Sequence, residues 1–199
     1  MSTTTTSPGP TGNPSATSRI SICSQESPLN GDTRIHDAVQ TGLQCWTDRH
    51  PVSDNWWHNA IGAPRRLSDI LILMVDELPP DLIAATSDLI RESRFRGTGA
   101  NLVDKASNLL SLACATNDPE LLRQAIKHIS GEIRVTSEEG IQCDDSFHQH
   151  GPRQMIISYG RGFAATQAGF VELFAGTTFA FSDEKIRILS RLILDAQQW

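Results

Sequence analysis

The chain has 199 residues, enough to bury one ordinary hydrophobic core, and its 39% hydrophobic and 20% charged residues are typical of a globular protein. Its formal net charge of −6 argues against a nucleic-acid partner, and a polyanionic substrate would need basic residues gathered locally around a cleft. No stretch approaches the run of about 18 apolar residues that a membrane span requires, so we expect no membrane partner.

The N-terminal residues differ in composition from the rest of the chain. Thr, Ser, Pro and Gly dominate from Met1 to Ser27, and large apolar side chains are almost absent there. We therefore expect residues 1–32 to form a disordered arm and residues 33–199 to form one domain. The arm has no basic start and no apolar stretch of about seven residues, so no secretory signal peptide is recognisable.

From Thr33 onward, apolar residues recur at three- and four-residue steps, which predicts an all-α fold. Pro79-Pro80, Asp118-Pro119 and Ser182 mark helix starts, because Asp and Ser cap free backbone N–H groups and proline suits the first helical turn. No stretch alternates as a β-strand. The predicted helices, joined by short loops into antiparallel hairpins, span residues 34–49, 65–78, 81–94, 99–116, 119–133, 153–175 and 183–198.

Two longer connections, residues 51–64 and 135–152, are predicted to be non-helical and carry aromatic, amide and imidazole groups. Loops on a rigid scaffold are where proteins usually display functional residues, so we expect the site there.

A metal site is not expected. The four cysteines have no CxxC spacing and no close pair, which predicts neither a zinc site nor a disulfide framework: Cys23, Cys45, Cys114 and Cys143. His148 and His150, near Cys143, also fit no standard zinc spacing. Asp144 and Asp145 are interpreted as loop or cap residues rather than a pair of catalytic carboxylates.

Three motifs follow one another along the chain. Asn55–Pro64 reads NWWHNAIGAP, Thr98–Asn101 reads TGAN, and Gly140–Tyr159 reads GIQCDDSFHQHGPRQMIISY, with His150 nine positions before Tyr159. Together they resemble polysaccharide lyase family 8, the lyases that cleave hyaluronan, chondroitin and xanthan. The resemblance runs from roughly Arg34 to Trp199, the N-terminal part of the family's helical catalytic domain.

The resemblance implies an incomplete α/α toroid of helical hairpins and an extracellular enzyme without a cofactor. It also implies an acidic, uronate-containing glycan as the substrate, cleaved by β-elimination to a 4,5-unsaturated uronate. Asn101, His150 and Tyr159 correspond to the catalytic amide, histidine and tyrosine. Asn55, Trp56 and Trp57 correspond to substrate-binding residues, and Arg161 is predicted to join them.

The expected reaction explains why these residue types are needed. Removing the proton at C5 is opposed by the neighbouring carboxylate, and an amide such as that of Asn101 stabilises the growing charge by donating hydrogen bonds. A base must then reach C5 and an acid must reach the bridging oxygen at C4. Tyr159 is the candidate for both roles, assisted by His150.

Other interpretations stay open at this point. Trp56 and Trp57 could be core residues, Asn101 could cap a helix, and Gly160-Arg161-Gly162 is too short for a phosphate loop and predicts close helix approach. The chain could also be a truncated, inactive remnant or a glycan-binding module. An exposed apolar flank would then favour self-association.

Overall fold

The computed structural model describes residues 32–197, which are divided between Gly42 and Leu43 into two units. Apart from Asp32, the predicted disordered arm lies outside the described residues. In the first unit, the Asp32 carboxylate accepts hydrogen bonds from the backbone and guanidinium groups of Arg34, at 3.0 and 2.6 Å. Helix α1 (Thr33–Arg49) begins here and ends in the second unit.

The second unit is built almost entirely from helices, which confirms the predicted all-α class. Three of its segments form wider, π-helical turns: His58–Gly62, Ile156–Gly160 and Leu192–Gln197. The further α-helices are α2 (Ala63–Met74), α3 (Pro80–Arg91), α4 (Gly99–Thr116), α5 (Pro119–Gly131), α6 (Arg161–Phe174) and α7 (Asp183–Arg191). Within residues 32–197, no helix combines the length and apolar character needed to cross a bilayer.

The predicted helix starts at Asp118 and Ser182 are confirmed. The Asp118 side chain accepts a hydrogen bond from the N–H of Leu121 at 3.0 Å, and Ser182 Oγ accepts one from Lys185 at 3.4 Å. Helix α4 has the predicted bounds, and it ends where Asn117 adopts a left-handed conformation (φ 52°). Side-chain capping and backbone handedness thus set these boundaries, as the sequence indicates.

One predicted helix, residues 153–175, begins too early. The N–H of Met155 donates to the carbonyl of Phe147 at 2.8 Å, and His148 pairs with Gln154. These backbone groups are therefore used in strand-like pairing, so helical structure begins only at Ile156. The predicted helix 183–198 is likewise divided into α7 and the turn Leu192–Gln197.

A short antiparallel hairpin lies between α5 and the turn Ile156–Gly160. Strand β1 (Gly140–Ile141) pairs with β2 (Phe147–His148), with Gly140 opposite His148. The prediction that no strand is present was wrong here. Two residues are too few to show the alternation by which a strand is recognised in a sequence.

The core consists of two clusters that share helix α4. One cluster lies against α5, α6, α7 and the hairpin and includes the fully buried Phe147, Phe163 and Leu192. The other lies against α2 and α3 and includes Leu71, Ile90 and Leu112. Burying each such side chain contributes about 1.5–3 kcal/mol. Because α4 packs on both sides, its first turn is held rigidly with respect to the hairpin.

Candidate active site

His150 and Tyr159 lie in direct contact. His150 Nε2 is 2.9 Å from Tyr159 Oη, and the two rings meet edge to face with their centroids 5.0 Å apart. His150 is exposed and Tyr159 is half-buried. An imidazole nitrogen and a phenol oxygen at this distance can exchange a proton directly. The nine-residue spacing therefore does bring these two predicted site residues together.

The loop after β2 places His150 at its tip. His150 adopts a left-handed conformation (φ 60°), and Gly151 follows with φ 77°. The loop is closed by a hydrogen bond from the N–H of Gln149 to the carbonyl of Arg153 at 3.1 Å. A non-glycine residue in this conformation persists only where its surroundings hold it, as is common at functional sites.

Gly160 allows the turn that carries Tyr159 to approach the hairpin. A Cβ atom at Gly160 would lie 2.9 Å from Phe147 Cβ, closer than real Cβ contacts. Phe147 is itself fully buried and packs on Phe163, with ring centroids 4.9 Å apart. The predicted close approach is confirmed for Gly160, whereas a Cβ at Gly162 would meet nothing within 4 Å.

Asn101 lies in the first turn of α4. The N-cap position belongs to Thr98, and the N–H of Ala100 donates to Gln149 Oε1 at 3.1 Å. Asn101 Oδ1 is buried and has no hydrogen-bond partner among residues 32–197. Asn101 therefore does not cap the helix through its side-chain oxygen, which stays an unsatisfied buried acceptor. Leaving such a group unsatisfied costs about 1–3 kcal/mol.

A cleft of about 650 Å³ lies in front of Tyr159 and is called the Tyr159 cleft. Arg65 contributes a cation to it, paired with Asp104 at 2.6 Å. Burial raises the pKa of the Asp104 carboxyl, and the charge of Arg65 opposes this effect only in part. The cleft is lined by Trp57, Arg65, Ala100, Val103, Asp104, Ser107, Ser158, Tyr159, Gly162, Phe163, Thr166 and Phe170.

The two adjacent tryptophans have different surroundings. Trp56 is 51% exposed and lies 5.4 Å from the Lys105 ammonium group, whereas Trp57 is half-buried and packs edge to face on His58. The interpretation of both residues as core is therefore wrong for Trp56. Asn55 Oδ1 accepts the backbone N–H of Trp57 at 3.0 Å, which fixes the turn leading into the pair.

Trp57 and Arg65 also border a second cleft of about 530 Å³, the Trp46 cleft. Its wall includes Trp46, His58 and Arg66. Arg161 lies elsewhere, on a depression with Ile156, Ile157 and Gln197. Of the predicted site residues, Tyr159 and Trp57 thus share one cleft, His150 bonds to Tyr159, and Arg161 lines neither large cleft.

The residues around Cys143 do not gather into a metal site. Across residues 32–197 no group of three or more His, Cys, Asp or Glu side chains is placed to hold a metal ion. Asp144 accepts hydrogen bonds from Ser146, which lower the pKa of its carboxyl. Asp145 pairs with Arg191 at 2.8 Å, so both acids have structural roles, as predicted.

Sequence reasoning missed the polar groups behind the site. Gln149 is fully buried and binds both Ala100 and the carboxylate of Glu139. Both residues lie in or beside the third motif, yet a buried glutamine cannot be distinguished from a surface one by spacing. The signal that could have found Gln149 is its position immediately before His150.

Comparison with known proteins gives a consistent result. Residues 19–197 match the family profile described as "Polysaccharide lyase family 8, N terminal alpha-helical domain". "Chondroitinase-AC" of Pedobacter heparinus is 35% identical over 178 residues, covering 86% of this chain and 25% of that protein. "Hyaluronate lyase HylA" of Cutibacterium acnes is 28% identical over 163 residues, covering 70% of this chain and 20% of that protein.

A solved structure of chondroitinase AC lyase has the same fold. It superposes with a TM-score of 0.81 at 32% identity, covering 86% of this chain and 26% of that one. The predicted incomplete α/α toroid of antiparallel helical hairpins is thereby confirmed. This chain spans about a quarter or less of the length of these relatives.

Proposed function

Because this chain belongs to polysaccharide lyase family 8, we propose that it cleaves an acidic, uronate-containing glycan by β-elimination. Chondroitin, hyaluronan and xanthan are the substrates to test. The observation that carries the proposal is the contact between His150 and Tyr159 at 2.9 Å, beside a cleft that Tyr159 and Trp57 line together. The reaction requires no redox cofactor, since proton transfers and the breaking of the bond from C4 to the bridging oxygen involve no net oxidation or reduction.

Tyr159 acts as the base and the acid of this reaction. With the His150 tautomer that carries its proton on Nδ1, Nε2 accepts the phenolic proton of Tyr159. The phenolate oxygen then removes the proton from C5, the C4–C5 double bond forms, and the bond from C4 to the bridging oxygen breaks. The same phenol returns a proton to that oxygen, so a 4,5-unsaturated uronate and a free hydroxyl result, and His150 then gives its proton back to the Tyr159 oxygen.

Asn101 stabilises the substrate carboxylate while negative charge develops on it. The side-chain NH2 of Asn101 is the group that would donate to the carboxylate, and Asn101 lies one residue beyond Ala100, which lines the Tyr159 cleft. Amide donors held in place before the reaction cost no reorganisation when the charge appears. Arg65 adds a positive charge to the same cleft, although its pairing with Asp104 at 2.6 Å moderates that charge.

Trp56 and Trp57 are proposed to stack on sugar rings, and Asn55 to bind substrate beside them. Arg161 is proposed to bind substrate at its separate depression with Ile156, Ile157 and Gln197. The exposure of Trp56 supports a binding surface rather than a core position. Asn55 holds the backbone of Trp57 through its side-chain oxygen, so its contribution includes fixing the tryptophan pair. We also propose an extracellular location, since a polymeric glycan does not cross the cell membrane.

The proposal is tested by ultraviolet absorbance of the unsaturated product, with chondroitin first and then hyaluronan and xanthan. Wild-type protein should give a rising signal, and Tyr159→Phe should abolish it because the ring remains while the hydroxyl is lost. A matched control is Phe179→Tyr, which adds a hydroxyl to an aromatic residue outside the Tyr159 cleft and should leave the signal unchanged. No signal from folded wild-type protein with any of the three glycans would reject catalysis.

A second candidate is glycan binding without turnover. The positions of the tryptophans favour it, because Trp57 lines both the Tyr159 cleft and the Trp46 cleft and Trp56 is exposed. Both rings could bind sugar even if His150 and Tyr159 catalyse no reaction. Calorimetry with chondroitin oligosaccharides would then show binding that Trp57→Ala removes while the absorbance assay stays silent. Binding unaffected by Trp57→Ala would reject this candidate.

A further inference from the structure

The carboxylate of Glu139 joins the segments that carry His150 and Asn101. Its Oε1 accepts the N–H of Gly151 at 2.9 Å, and its Oε2 accepts the hydroxyl of Thr98 at 2.7 Å and the side-chain amide of Gln149. Thr98 is the N-cap residue of α4, and Gly151 follows His150 directly. One carboxylate therefore bonds to both sides of the candidate site.

Gln149 completes this connection from within the core. Its side chain is fully buried, its amide nitrogen binds Glu139, and its Oε1 accepts the N–H of Ala100 at 3.1 Å. Ala100 immediately precedes Asn101. A Cβ at Gly99 would lie 2.6 Å from Gln149 Oε1, so a side chain here would displace the Gln149 amide and, at φ +57°, would strain the backbone.

The backbone at His150 needs such support. His150 and Gly151 both have positive φ, at 60° and 77°, and the loop is exposed. The residue before His150 is held through its buried side chain and the residue after it through its N–H, both by the same carboxylate. Restraints on both neighbours limit the backbone freedom of His150 itself, and that freedom would otherwise be large in an exposed loop.

From this geometry we propose that Glu139, acting through Gln149, is a positioning residue that holds His150 and Asn101 in one fixed arrangement. The effect of Glu139 on turnover rests on the proposed function, whereas its effect on the orientation of His150 and Asn101 does not. Glu139 lines neither the Tyr159 cleft nor the Trp46 cleft, so its effect is on orientation. Small misplacements of catalytic groups can cost about a hundredfold in rate.

Glu139→Gln is the informative variant. An ionised carboxylate only accepts hydrogen bonds, and all three of its partners are donors. The glutamine side chain has the same shape, but its NH2 group replaces one of the two oxygens. This NH2 group then faces either the N–H of Gly151 or the side chains of Thr98 and Gln149. In each case at least one hydrogen bond is lost, because two donor groups face each other. Glu138→Gln is the matched control, since it removes the same charge from the adjacent, exposed position.

The primary readout is nuclear magnetic resonance of this chain, recorded on the His150 ring nitrogens and the Asn101 side-chain amide. Both sets of signals should shift or broaden in Glu139→Gln and remain at wild-type positions in Glu138→Gln. If Glu139→Gln does not fold, the inference is tested with Thr98→Val, which removes the hydrogen bond from the Thr98 hydroxyl to the carboxylate. The His150 and Asn101 signals should move in Thr98→Val, whereas Thr98→Ser keeps the hydroxyl and should restore the wild-type signals. Wild-type signals in Glu139→Gln, or in Thr98→Val where that variant decides, would overturn the inference.

Turnover supplies a second readout with a separate meaning. Where wild-type protein forms unsaturated product, Glu139→Gln should lower kcat at least about tenfold with KM changed by less than about twofold. An unchanged kcat together with unchanged signals defeats the positioning role and leaves the lyase proposal intact. Silent wild-type protein whose His150 and Asn101 signals still move in Glu139→Gln defeats the lyase proposal and supports the positioning role.

Discussion

Substituting Gly160 by alanine should loosen the contact between the turn that carries Tyr159 and the hairpin. The added Cβ would lie 2.9 Å from Phe147 Cβ and 3.2 Å from Phe147 Cγ. Phe147 is fully buried, so its ring cannot rotate into open space. Either the turn or the hairpin must shift, and each carries one member of the His150–Tyr159 pair.

The magnitude follows from two opposing effects. Alanine is favoured over glycine in a helical conformation by about 0.5–1 kcal/mol, and Gly160 has helical angles (φ −61°, ψ −41°). Forcing an extra methyl group into a packed core costs about 1–3 kcal/mol. Gly160→Ala should therefore lower the free energy of unfolding by up to about 2.5 kcal/mol. Gly169→Ala, where a Cβ meets nothing within 4 Å, should raise it by about 0.5–1 kcal/mol.

Urea denaturation followed by circular dichroism measures both free energies on the same chain. The difference between the two variants removes the helix-propensity effect and isolates the steric cost at Gly160. It should fall between about 1 and 3 kcal/mol. Equal urea midpoints for Gly160→Ala and Gly169→Ala would contradict the predicted steric cost, because a Cβ at Gly160 would then be accommodated beside Phe147 without loss of stability.

Three further predictions concern stability. Phe163→Ala should cost about 3–5 kcal/mol in urea denaturation because this ring is 1% exposed, whereas Leu173→Ala, at a position 62% exposed, should stay within about 0.5 kcal/mol. Asn108→Ala should cost about 1–3 kcal/mol, because its buried amide donates to the carbonyl of Ile61 at 3.1 Å. A loss below about 0.5 kcal/mol would contradict this. Burial raises the pKa of the Glu132 carboxyl above 4.5, so the folded state holds this proton more tightly and the free energy of unfolding should fall as pH rises from 4.5 through the raised value. Glu132→Gln should lack this part of the pH dependence, and parallel pH profiles for the two proteins would contradict it.

Helix positions could be predicted where a local signal decides them. Asp118 and Ser182 cap helices through their own side chains, and the sequence shows both. The start of α6 could not be placed in this way, because Met155 donates its N–H to Phe147 on the other side of the hairpin. A backbone bond between residues eight positions apart is a tertiary contact, and it overrides the apolar periodicity of the segment.

In the candidate site, too, contacts within one short segment could be predicted from the sequence, whereas contacts between distant segments could not. The spacing of His150 and Tyr159 predicts their contact, because only a tight loop and one turn separate them. The roles of Glu139 and Gln149 could not be predicted, since these depend on contacts with the distant Thr98 and Ala100. Arg161 shows the converse, because its place in the motif suggests the cleft whereas its side chain lines a separate depression.

The proposed reaction breaks a glycosidic bond by elimination rather than by adding water. The most direct measurement is mass spectrometry of chondroitin fragments released in water enriched in the heavy oxygen isotope. Elimination predicts that each fragment with a new non-reducing end is lighter by one water molecule than the corresponding hydrolysis product, and that no fragment gains heavy oxygen from the cleavage. Fragments with one heavy oxygen at the new reducing end would contradict elimination and indicate hydrolysis.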